Sequence, residues 1–359
     1  MGDRKFLDLS GRHGIGLDID SSSVRMVQLR RRNGAHVVTG AAASEVAPWG
    51  DDPERHRKNT LQAIRQCLGS LGSKSKLAVC GLRGPEVVVR GFEFPTLPTE
   101  EIKGAVELEA SQICPFGTAE SALDYQVTSC EEKKTRGFWV AATESLIESR
   151  RQLAQEAGLK CTLMDVDGLA LLNCLKGSSG SSSTEGDSGE NGVSPETRPA
   201  LVSIGEFYTS IAIANHARRP FVRDVNSGDQ DILHEIARRT KLTSEAVRTA
   251  LFSGSPTDDP TIREALGKAC GPLLENITTT LRYFSAENRV TRINKILVCG
   301  SLGLSGSFIR LLETELSIEA ASWNPVAAMP CEMETSRAAR LTENGPLMAV
   351  AAGLAMRTI

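Results

Sequence analysis

No run of apolar residues in the 359-residue chain approaches the length that crosses a bilayer, and Met1 to Ser10 (MGDRKFLDLS) lacks the apolar core of a signal peptide. Phe6 stands where a myristoylation signal wants Ser or Thr. These absences predict a cytoplasmic protein. The nine cysteines are scattered without a C-x-x-C pair, so neither a zinc site nor a disulfide framework is signalled, and most read as small buried apolar residues. The five histidines do not cluster at ligand spacing, and Gly303 to Ser307 (GLSGS) is one residue out of register for a nucleophile elbow. A net charge of -3 favours neither nucleic acid nor an acidic tail. The one sharp basic run, Arg30-Arg31-Arg32, reads as solvated charge at a strand end.

What is present is an ordinary globular composition, 40% hydrophobic and 24% charged, on a chain too long for one core, which predicts two or more domains. Gly177 to Thr197 (GSSGSSSTEGDSGENGVSPET) contains almost nothing that can be buried and reads as a flexible linker between two halves. The first half opens with a meander, Gly14 to Asp20, Val24 to Arg30 and His36 to Ala43, the last two joined by an Asn33-Gly34 hairpin turn. Asp52 as cap and Pro53 at the first turn start a helix, carried by Leu61, Ile64, Leu68 and Leu71 and stopped by Gly72. Leu77 to Gly81 follows as a buried strand.

From Gly84 the pattern changes to strand (Val87 to Phe94), helix (Thr99 to Ile113, with Ile102, Val106, Ala110 and Ile113 on one face), and strands near Ala122 to Thr128 and Phe138 to Ala142. This unit reads as an insertion. Its helix carries Glu100, Glu101, Glu107 and Glu109, which flank the apolar face as solvated charge rather than converge as an acid/base group. A helix from Glu144 to Ala157, a strand from Cys161 to Val166 and a helix from Gly168 to Leu175 complete the half.

The second half restarts the opening theme: Ala200 to Ala214 gives two strands around a polar bend, and Phe221 to Val225 a third. Laid on the opening, Ser203 falls on Asp18, Ile204 on Ile19 and Gly205 on Asp20. Helical text from Asp231 to Ser285 follows, then a strand (Asn294 to Cys299), a loop (Gly300 to Ser305), a helix (Gly306 to Leu316) and a small-residue helix from Pro346 to Arg357. Such self-similarity predicts duplicated α/β lobes facing a cleft, with the bend of each meander pointing into it.

The segments IGLDIDSSSVRMVQL, LRGPEVVVRGFEFPTLPTEEIKGAVELEASQICPFGTAESALDYQV, AATESLIESRRQLAQEAGLKCTLMDVDGLALL and MAVAAGLAMR resemble, in order, the PilM family of type IV pilus assembly. The resemblance implies an actin-like α/β fold related to FtsA: duplicated ribonuclease H-like lobes with a small inserted SHS2-type α+β domain. On that basis residues 1–83 and 144–176 form the first lobe, 84–143 the insertion, 177–197 the linker, 198–337 the second lobe, and 338–359 a helix returning to the first.

It further implies ATP and magnesium in the cleft. Asp18 matches the family's acidic, metal-side position, Ser21, Ser22 and Ser23 its phosphate-facing hydroxyls, Arg25 a common lysine, and Gly205 and Gly300 the glycines of the second hairpin and the adenosine loop. Other positions depart. Asp20 replaces a glycine at the bend, and a unit repulsion at about 5 Å is worth roughly 1 kcal/mol in water and about 3 kcal/mol at an effective dielectric of about 20. Ser203 stands where the family has an aspartate; Glu206, Phe207 and Tyr208 fill a bend that should be small; and Ala246 to Ala250 lacks the acid and base that reach ribose and adenine. These changes fall on different parts of one ligand, and lead us to expect weak or lost ATP binding and no hydrolysis.

The function the resemblance implies is a cytoplasmic scaffold at the inner face of the membrane. It would hold the N-terminal peptide of a PilN-like inner-membrane partner and link it to pilus motor ATPases, with no nucleic-acid role, and Ile113, Pro115 and Phe116 would lie near the peptide surface. The alternatives are an active actin-like ATPase of a pilus, competence or type II secretion system, or an FtsA-like division protein. The last ordinarily adds a C-terminal membrane helix, which is not expected here because the sequence stops at Ile359.

Overall fold

In a computed structural model, residues 14–117, 120–178, 196–214, 219–252, 259–288 and 291–357 are described. The alternating opening becomes an antiparallel meander of β1 (Ile15–Ile19), β2 (Ser23–Arg32) and β3 (Ala35–Glu45). Asn33 and Gly34 both take positive φ, as the tight turn between β2 and β3 requires. Helix α1 (Pro53–Leu71) starts where Asp52 accepts from the backbone of Glu54 and Arg55 and ends at a left-handed Gly72. Strand β4 (Leu77–Leu82) then runs parallel to β1.

The insertion is β5 (Val87–Pro95), α2 (Thr99–Ile113), β6 (Ser121–Glu131) and β7 (Lys134–Thr143), with sheet order β5-β7-β6. Its own core is Phe92 and Trp139 under Ile102, Val106 and Ala110 of α2. Ile113 is 45% exposed and does not join that face, a correction to the periodicity reading: the helix ends there, one turn beyond the sheet it covers. Glu109 alone of the four helix carboxylates is half-buried, and burial raises its carboxyl.

Helix α3 (Glu144–Glu156), β8 (Lys160–Val166) and α4 (Asp167–Ser178) finish a sheet ordered β3-β2-β1-β4-β8. The interior of the expected linker, 179–195, lies outside the described residues, as does Met1 to Ser10. Its ends do not: 177–178 continue α4 and 196–197 open β9 (Glu196–Ile204), because the parallel ladder with a later strand reaches back to Glu196.

Strands β10 (Thr209–Ala214) and β11 (Pro220–Val225), helices α5 (Asp229–Thr240), α6 (Ser244–Phe252) and α7 (Pro260–Glu287), β12 (Thr291–Gly300), α8 (Gly306–Leu316) and β13 (Glu319–Ser322) build the second sheet, ordered β11-β10-β9-β12-β13. The expected loop after Gly300 is a short 3-10 turn, Ser301–Leu304. Helix α9 (Thr335–Glu343) precedes a 3-10 turn at Gly345–Met348 and α10 (Ala349–Ala355). Sequence reading missed β13 and α9, both short and poor in periodic apolar residues.

The two sheets share one topology, position for position. Asp18 pairs with Arg25 as Ser203 pairs with Ser210, and the bends close with equivalent bonds, Asp20 N–H to Ser23 C=O at 2.9 Å and Gly205 N–H to Tyr208 C=O at 3.0 Å. Helices α4 and α10 lie between the lobes. Val79, Leu171, Leu201, Ala212, Cys299 and Leu354 belong to one buried cluster drawn from both. Contact here is backbone-close: a Cβ on Gly353 would sit 1.9 Å from the Ala170 carbonyl oxygen, and one on Gly16 1.9 Å from that of Ala351. Arg30 and Arg32 are not simply solvated; both pair with Glu332.

Candidate functional site

The site is built at the C-terminal ends of β1, β4 and β8, where an open parallel arrangement leaves room between strand ends. Asp18 is 1% exposed on β1, and its β2 partner Arg25 reaches it, Nη1 to Oδ2 at 3.3 Å. The β1–β4 register pairs Leu17 with Cys80, and three residues on it carries Asp20 beside Arg83. The Arg83 guanidinium donates to Asp18, lies 3.4 Å from Asp20 Oδ2, and places Nε 2.5 Å from Oδ2 of Asp167, the first residue after β8.

The second hairpin faces this cluster. Asp20 Oδ1 accepts the Ser21 N–H at 2.9 Å, and its Oδ2 accepts the Glu206 N–H from the other lobe at 3.4 Å. The Ser22 hydroxyl bonds the Glu206 carboxylate. The Gly84 N–H donates to Asp224 Oδ2 at 2.7 Å, and Ser210 Oγ fixes the other oxygen at 2.6 Å. Asp229, capping this side of the cleft, is held by Ser301 and shares Arg248 electrostatically with Glu206.

Burial dominates the ionisation of these acids. It pushes Glu206 up to about 7 and Asp167 to about 6, against the pull of Arg83 on the latter, and it raises Asp224 and Asp229 as well. Burial also lowers Arg150, a further cation beside Arg83, Asp20 and Asp167.

Asp18, Ser21, Ser22, Ser23, Arg25, Gly205 and Gly300 are thus gathered at one cleft. His56 Nε2 contacts the Ser21 carbonyl at 3.1 Å, and Ser23 Oγ is buried without a partner. Gly300 has φ 77°, and a Cβ there would lie 2.1 Å from the Ile204 carbonyl oxygen, so its place is close packing of β12 on β9. Sequence reading missed Arg83, Asp167, Asp224 and Arg248. A strand of six apolar or small residues followed by an arginine before glycine was the available signal for Arg83.

The arrangement fits a nucleotide's phosphates poorly. The bend amides that a phosphate would use are taken by the Asp20 carboxylate, and Asp18 carries two guanidiniums rather than facing an open metal position. Among the described residues no group of three or more His, Cys, Asp or Glu is placed to hold a metal ion. Among the described residues of the site, the Ser23 hydroxyl and Arg150 Nε are buried donors without a partner.

Beside the cleft, a groove of about 890 Å³ opens between β5 and β11. It begins at Gly84 and Asp224 and is lined by Val89, Arg90, Phe221 and Tyr283, with Pro115 at its rim.

Two lobes of one five-stranded topology, facing each other through hairpin bends and interrupted by an α+β insertion after β4, define an actin-like protein. The family model of the type IV pilus assembly protein PilM matches residues 16–359, and the chain belongs to that family. Among solved structures it is similar to a PilM-PilN type IV pilus biogenesis complex, at TM-score 0.76 and 23% identity over 96% of this chain and 98% of the other. It is also similar to the ethanolamine utilization protein EutJ from Carboxydothermus hydrogenoformans, at 0.55 and 12% over 96% and 89%, and to a nucleotide-free diol dehydratase-reactivating factor, at 0.52 and 11% over 96% and 99%. No helix among the described residues is long and apolar enough to cross a membrane.

Proposed function

We propose that the chain is a scaffold of type IV pilus assembly, working at the cytoplasmic face of the inner membrane, that holds the N-terminal peptide of a PilN-like inner-membrane partner. Its nucleotide site is degenerate, and it acts through binding rather than catalysis. The observation that carries the reading is the contrast between the two openings of the molecule. The interlobe cleft is filled by its own side chains, whereas the groove between β5 and β11 remains open.

That groove suits a short extended peptide. Val89 and Phe221 offer apolar contact, and Arg90 and Arg223 are exposed cations for an acidic or carbonyl-rich segment. Pro115 joins it, while Ile113 and Phe116 do not line it and Phe116 packs against the insertion's own core. Calorimetric titration with synthetic N-terminal segments of single-span membrane proteins encoded nearby tests this: one of them binds, and the Phe221→Ala variant weakens it about tenfold or more. Absence of binding to every segment sinks the proposal. The pilus motor ATPases are proposed as further partners, reached through the assembled complex.

One observation favours a second reading, an ATP-binding actin-like protein: the buried, unpartnered hydroxyl of Ser23. Phosphate release that is measurable in the wild type and abolished in Asp18→Ala would establish it, and release unchanged in Asp18→Ala removes it.

A further inference from the structure

The Asp20 carboxylate stands where the two hairpins converge and does there what a phosphoryl group would do. Its two oxygens accept one backbone N–H from each lobe, Ser21 at 2.9 Å and Glu206 at 3.4 Å. The counterpart position in the second lobe is Gly205, and a Cβ built there would lie 2.9 Å from Asp20 Oδ2, so the glycine is what admits the carboxylate across the gap. Arg83 supplies the opposite charge. Its side chain is 11% exposed and touches three carboxylates, those of Asp18, Asp20 and Asp167. The next residue extends the same link: the Gly84 N–H binds Asp224 of the second lobe, and Gly84 faces the ring of Tyr208 at the second bend.

We propose that Asp20 and Arg83 form a built-in substitute for a bound phosphate and its counter-ion, a latch that holds the two hairpins together without any ligand. The inference rests on the reading of the nucleotide site as degenerate and adds what replaced the nucleotide. Buried ion networks of this kind tolerate loss of a member badly, because the remaining charges are left without compensation. Removing Arg83 leaves Asp18 and Asp20 to Arg25, and Asp167 to Arg150. The latch also reaches the groove. Arg83 and Gly84 run directly into β5, so the contact between Gly84 and Asp224 sets the inner end of the opening where a peptide is proposed to lie.

Hydrogen exchange read by mass spectrometry on the full chain tests the latch, with Mg-ATP as the added probe. In the wild type without ligand, the amides of residues 20–22 and 205–208 are expected to be protected, and about 5 mM Mg-ATP should leave them unchanged. Asp20→Gly should speed their exchange about tenfold or more, while β9 and β10 keep wild-type protection. Should Asp20→Gly fail to fold, Asp20→Asn, which keeps the size and loses the charge, is expected to show the same local loosening with a smaller factor. Arg83→Gln should loosen Gly84 together with both bends.

Bends in Asp20→Gly or Asp20→Asn as protected as in the wild type would overturn the latch and leave the degenerate-site reading standing. Wild-type bends that gain protection only with Mg-ATP would overturn both. Peptide capture is read by its own titration.

Discussion

Asp20 differs from Gly205, its counterpart in the other lobe, by one carboxylate-bearing side chain, and that side chain spans the cleft. Glu206, which receives it through its backbone, carries a displaced acid. Burial raises its carboxyl from 4.5 to about 7. The fold therefore binds a proton that the unfolded chain has released. Stability from this group is complete below 4.5 and falls as pH rises through 7. Glu206→Gln should match the wild type at about pH 4.5 and exceed it by about 1–2 kcal/mol at about pH 8, after allowance for solvent screening, in urea denaturation. At Gly300 the left-handed backbone and the carbonyl of Ile204 leave no space for a methyl group, so Gly300→Ala should cost roughly 3 kcal/mol by the same measurement. Asp18 and the serines were legible because they stand together in one hairpin. Arg83 and Asp167 were not, since each follows the end of a different strand, and Arg83 joins Asp167 to Asp18 only once β1, β4 and β8 are side by side.

The elements that sequence located most closely are those whose ends are chemically marked. Helix α1 runs from its Asp52 cap to the left-handed Gly72, and Asp52→Ala should cost about 1 kcal/mol by removing the acceptor of two amides. The insertion was legible as strand, helix, strand, strand because each piece carries its own period, and α2 was placed at Thr99–Ile113 by that pattern. Strand order was not legible: β7, last in the chain, sits in the middle of that sheet, a pairing that only tertiary contact selects. Fully buried Trp139 on β7 fills the insertion's core, so Trp139→Ala should destabilise that unit by about 3–5 kcal/mol while leaving the cleft intact. Hydrogen exchange on β5 to β7, read beside exchange on residues 15–24, would separate the two regions. Short β13 and α9 escaped because neither has enough apolar repeats to stand out from loop text.

At the scale of the whole molecule, the duplicated sheets were foreseeable from the repeat of the opening theme, whereas the buried cluster shared by both lobes emerges only from their packing. A filled cleft carries a thermal consequence: about 5 mM Mg-ATP should shift the melting temperature of the wild type by less than ~1 °C, whereas a site saturated well above its dissociation constant would move it by several degrees. The placement of α10 has a consequence of another kind. This helix follows the second lobe in sequence, yet it packs through small residues on β1 and α4 of the first, against Gly16 and Ala170. As the chain leaves the ribosome, β1 to α4 emerge first but lack the surface that seals them until residues 349–355 appear. The lobe that translation begins first is the one it completes last, and the second lobe has its own sheet and helices in hand before that closure can occur.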